Sequence, residues 1–105
     1  MSAASDLWKR LPRETQWDLA RRVAKREARR LRSRLGKNLV SVGVGHRTEG
    51  SDRRIVREPS IRVLVRRKLS AKELTRRQRV PEEFMGYLVR RKKRRLFAVP
   101  SDVDV

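Results

Sequence analysis

The sequence predicts an α+β fold: a long basic N-terminal helix, a small antiparallel sheet of three to four strands and one short second helix, in the order α-β-β-α-β(β). Three observations carry this. Apolar residues recur three or four apart up to residue 35, and the period then changes to two. A serine and a glutamate at capping-box spacing interrupt the strands. Residues 1–37 read as a basic amphipathic helical region and residues 38–105 as a small α+β domain, the two forming one compact unit.

The helix is read first. Pro12 suits a first-turn position, where its missing N–H costs nothing. Trp17, Ala20, Val23, Ala24, Ala28, Leu31 and Leu35 then form a narrow stripe, and Gly36 follows as a C-terminal glycine. Arginines and lysines fill most of the remaining circumference. A stripe built largely of alanines suits close packing on a sheet.

Residues 39–46 alternate. Val40, Val42 and Val44 take one face, and Gly43 and Gly45 the other, where another backbone or a helix can approach closely. Residues 48–54 read as a hairpin loop around Gly50 and Asp52. A second strand over residues 60–67 puts Ile61, Val63 and Val65 on one face and Arg62, Leu64 and Arg66 on the other, with Pro59 suited to a strand start or edge. Ser70 and Glu73 have the spacing of a capping box, so a short helix is expected to begin there and stop before Pro81. Beyond Gly86, two short strands, Tyr87-Leu88-Val89 and Leu96-Phe97-Ala98-Val99, flank a charged turn that lacks Gly or Asn. The tail from Pro100 carries two acids and no base.

Composition bounds the function. Lys and Arg number 30 against 12 Asp and Glu, a net charge of +18 on 105 residues. Such an excess speaks about partners and solubility rather than about fold. The apolar share of 37% lies below the roughly 45–50% usual for globular chains, so periodicity has to establish the core. The absence of cysteine excludes disulfides, thiolate metal ligands and a cysteine nucleophile. No apolar run approaches the roughly 18–20 residues of a membrane span, and the N-terminus lacks an apolar signal core. A cytoplasmic protein is expected.

No reaction centre is legible. His46 is the sole histidine and reads as a strand-end residue without chemistry. There is no G-x-S-x-G elbow, and Gly43-x-Gly45 lacks the third glycine and helix start of a dinucleotide site. Glu82-Glu83 and the Asp102/Asp104 pair have neither a histidine partner nor metal-ligand spacing. No catalytic residue, metal or cofactor is expected.

Basic clusters are the stronger signal. They occupy the helix from Arg21 to Arg34, the strand end Arg66-Arg67-Lys68, the segment Arg76-Arg77-Gln78-Arg79, and the run Arg90-Arg91-Lys92-Lys93-Arg94-Arg95. Arginine outnumbers lysine 23 to 7, and its fork suits phosphate or carboxylate. The plain alternative is that base composition inflates arginine and the charge only solvates the surface. Candidate contacts to a polyanion or an acidic partner are Arg29, Arg30, Arg66, Arg67, Arg90, Arg91, Lys92, Lys93, Arg94 and Arg95.

The segment Asn38-Leu39-Val40-Ser41-Val42-Gly43-Val44-Gly45-His46-Arg47 resembles the opening of the N-terminal domain found ahead of some bacterial trypsin-like serine peptidases. Glu58-Pro59-Ser60-Ile61-Arg62-Val63-Leu64-Val65-Arg66-Arg67-Lys68-Leu69 is similar to the E-P-[SAC]-I-x-V-x-V-x-x-K-L pattern of that domain. Val80-Pro81-Glu82-Glu83 with Gly86, and Pro100-Ser101-Asp102-Val103, match its later pieces in order. Residues 90–95 look like an insertion, and the helix is more heavily charged than the pattern. The peptidase domain is absent from the sequence, so no catalytic residue carries over. The resemblance implies a non-catalytic interaction module that packs on or covers a peptidase-like or acidic protein partner. The alternative is a small protein that binds DNA or RNA along the phosphate backbone with little sequence preference. A weaker third reading, anionic lipid, rests on Trp8 and Trp17.

Overall fold

The computed structural model describes residues 3–49, 54–68 and 79–104. Helix α1 (Ala3–Arg10) leads through Leu11 and Pro12 into α2 (Arg13–Leu35), and a 3-10 turn (Gly36–Asn38) follows. Four strands complete the fold: β1 (Leu39–Glu49), β2 (Arg54–Val65), β3 (Glu83–Arg90) and β4 (Lys93–Asp104), in the sheet order β1-β2-β4-β3. The α+β class and the long basic helix are as the periodicities predict. The short helix expected from Ser70 lies, for the most part, outside the described residues; Arg79, Val80 and Pro81 are irregular.

The core is one cluster. Leu19, Ala20, Val23, Ala24, Leu31 and Leu35 of α2 meet Ile61, Val63 and Val65 of β2, with Phe84, Phe97 and Val99 from the second hairpin. Small residues let α2 sit close to the sheet: a Cβ on Gly86 would lie 2.7 Å from Val23 Cγ2. The first helix escaped the sequence reading because it has only eight residues and little apolar periodicity. Tertiary contacts hold it. Trp8 is buried and its Nε1 donates to Glu58 Oε1 at 2.6 Å, while buried Gln16 donates from Nε2 to the Trp8 carbonyl at 2.8 Å. The lipid reading thereby loses Trp8, which belongs to the core.

The sheet is mixed, a correction to the wholly antiparallel one expected. The β1–β2 and β3–β4 pairs are antiparallel, but β2 and β4 run parallel from Ile61↔Ser101 to Leu64↔Asp104. The acidic tail therefore becomes the second half of β4. Ser60 Oγ donates to Asp102 Oδ2 at 3.0 Å, Arg62 pairs with Asp104, and Ser101 Oγ donates to the Pro81 carbonyl. Asp102 and Asp104 thus hold the strand junction together, which gives the Pro100-Ser101-Asp102-Val103 motif a structural role.

Three finer expectations change as well. Val40 is 49% exposed, because the β1–β2 register shifts between Leu39 and Ser41 and turns it off the core face. Val42 and Val44 keep to the core, opposite Val63 and Ile61. The hairpin strands also run further than read, β1 to Glu49 and β2 from Arg54. Pro59 consequently lies inside β2 and not at its start. It is tolerated because β2 pairs with β4 only from Ile61 onward, so no ladder bond is lost on that side.

Candidate polyanion interface

Strands β3 and β4 form a ribbon closed by a two-residue turn, with Arg90 paired to Lys93. Both turn residues have positive φ, 52° for Arg91 and 64° for Lys92. That is the sense a tight hairpin requires and the one L side chains disfavour. Successive strand residues point to opposite faces. Since all residues 89–96 are exposed, this end of the ribbon stands clear on both faces. It carries Arg90, Arg91, Lys92, Lys93, Arg94 and Arg95 with no acid among them.

The base of the ribbon is anchored. Phe84 and Phe97 are buried, and Gly86 lies directly under α2. On the outward face, Arg94 stacks its guanidinium 4.0 Å from the centroid of the Tyr87 ring, which holds that cation against the strand. Met85, Tyr87, Val89 and Leu96 share this face and are partly exposed, Val89 most of all.

The other predicted bases are divided among separate places. Arg66 and Arg67 follow β2 and are exposed. Asn38 clasps them to the end of the helix: its Nδ2 donates to the Arg67 carbonyl at 3.0 Å, its Oδ1 accepts from Arg67 N at 3.0 Å, and Arg66 N donates to its carbonyl at 2.8 Å. Arg29 and Arg30 project from α2, Arg30 pairing with Glu27 at 3.3 Å. Of the segment Arg76-Arg77-Gln78-Arg79, Arg76, Arg77 and Gln78 lie outside the described residues and Arg79 is exposed.

The parallel β2–β4 register separates two of these groups. Arg66 follows the end of β2 beside the C-terminal end of β4, whereas Lys93 begins β4. At about 3.3 Å per residue the two groups lie roughly 35 Å apart along the strand. A ligand touching both spans about ten nucleotides of a duplex strand.

On the helix-facing side of β1, His46 meets the Trp17 ring edge-on, with centroids 5.2 Å apart. On the opposite face Gly45 is covered by the Arg62 side chain, and among the described residues no group of three or more His, Asp or Glu is placed to hold a metal. In the sequence Tyr87 reads as the first residue of a short strand. Its pairing with Arg94 was foreshadowed by nothing but their positions on either side of the charged turn. Comparison with known proteins finds no family model, no curated protein and no solved structure that matches the chain.

Proposed function

We propose that the protein is a non-catalytic nucleic-acid-binding module that grips the phosphate backbone of DNA or RNA with the β3–β4 ribbon and has little sequence preference. The observation that carries this reading is the placement of six consecutive cations on a ribbon exposed on both faces. Its turn positions hold Arg91 and Lys92 at positive φ. Asparagine or glycine is more stable there, so cations at these positions fit a contact better than they fit solvation. Each duplex phosphate neutralised releases counterions, giving a slope near −0.9 in log affinity against log salt.

The test is fluorescence anisotropy of nuclease-treated protein with short DNA and RNA at about 50 and 200 mM salt. Tight binding that falls by roughly 10³ over this range is expected. Replacing Arg90, Arg91, Arg94 and Arg95 together with glutamine lowers low-salt affinity roughly tenfold or more and flattens the slope. Weak binding at both salts overturns the reading.

A second reading has its own support. Arg21, Arg22, Lys25 and Arg29 make an exposed cationic face on α2, away from the ribbon turn, which suits docking on an acidic protein. The motif resemblance to the peptidase-associated domain points the same way, toward a peptidase-like partner. Retention of affinity for an acidic protein after the four ribbon substitutions supports it.

A further inference from the structure

The sheet has two edge strands, β3 and β1. At β3, Arg26 of α2 reaches across and donates to the Met85 carbonyl. At β1, residues 41–46 lie between two register shifts and pair regularly with β2 on one side, and at their end the His46 carbonyl accepts from Arg62 Nη1 at 2.8 Å. Among the described residues, no strand pairs with the other side.

Natural edges are usually guarded by charge, proline or a bulge. Residues 38–46 contain no charged residue and no proline, in a chain of which 40% is charged. They are its longest uncharged run. Beside this edge runs an open groove of about 460 Å³, lined by Arg21, Ala24, Lys25 and Ala28 of α2 and by Val42, Gly43 and Val44 of β1.

We propose that the free edge of β1 takes an added strand from an acidic protein partner, an extended segment alternating acidic and apolar residues. Its backbone pairs with residues 41–45, because the His46 carbonyl already accepts from Arg62 Nη1 at 2.8 Å. Alternate side chains of an added strand point to one sheet face, so the acids on the α2 side meet Arg21 and Lys25. A second copy of this chain is a poor occupant, since each brings a net charge of +18. A nucleic acid lacks the N–H and C=O ladder the edge requires. The inference rests on the protein-docking reading and is independent of the ribbon.

The experiment titrates the full chain with a labelled, blocked peptide alternating valine and glutamate. A second peptide has the same sequence N-methylated at alternate residues, in both registers, which keeps the charge and removes the ladder. The unmodified peptide is expected to bind, and N-methylation in one register to weaken it roughly tenfold or more. The R21E/K25E variant, changed only at exposed positions, is expected to weaken it roughly tenfold while the far-ultraviolet circular dichroism of the folded chain is retained. Equal binding of all the peptides overturns strand addition while leaving the acidic-partner reading in place. No binding of any of them overturns both. A dimer of the chain alone that the peptide fails to dissociate also overturns the proposal, because the edge is then filled by a second copy.

Discussion

Gly86 shows how a single residue sets the distance between layers. A Cβ there would lie 2.7 Å from Val23 Cγ2 and 3.1 Å from Leu19 Cδ1, so any side chain pushes α2 away from β3. Gly86→Ala is expected to destabilise by about 1–3 kcal/mol, read from the urea midpoint; an unchanged midpoint means that α2 is not seated on β3. In the sequence Gly86 reads only as the start of a strand, because the helix that needs it lies some sixty residues away. Trp8 and Asn38 are similar cases. Trp8 is one aromatic among five until Glu58 accepts its indole N–H. Asn38 is an uncharged residue after a helix until both polar ends of its side chain bind Arg67. These roles depend on partners that no local pattern names.

At the scale of elements, periodicity identified most of what is present. The valine alternation of β1 and β2 and the three-to-four spacing of α2 require only local geometry, and both follow the sequence. The β3–β4 turn was harder to read, since it lacks the Asn and Gly that mark such turns, yet the ribbon forms with Arg91 and Lys92 in the left-handed region. Replacing these two by Asn and Gly is expected to raise stability by about 1 kcal/mol or more in urea unfolding. The same change lowers low-salt nucleic-acid affinity, since two ribbon cations go with it. A fall in stability instead means that the turn does not have this geometry. The length of β4 escaped the reading for a different cause. Its first half carries cations and its second half acids, and neither half alternates cleanly, because pairing with two different strands holds it in place.

The whole molecule is governed by its charge. With +18 on 105 residues, self-repulsion opposes the compact state. Raising salt from about 20 to 200 mM screens this, as the Debye length shrinks well below the size of the molecule. The melting temperature is therefore expected to rise over that range in a thermal scan; a fall means that attractive pairs outweigh the repulsion. The same excess becomes directional only in three dimensions. The candidate cations do not form one surface: the ribbon holds six, Arg66 and Arg67 sit at the far end of β4, and Arg29 and Arg30 lie on the helix. Helix, strands and net charge were legible because side-chain period and composition are properties of neighbouring residues. The parallel β2–β4 pairing, the open edge of β1 and the division of the cations were decided by the tertiary structure, since each depends on which distant segments come to lie side by side.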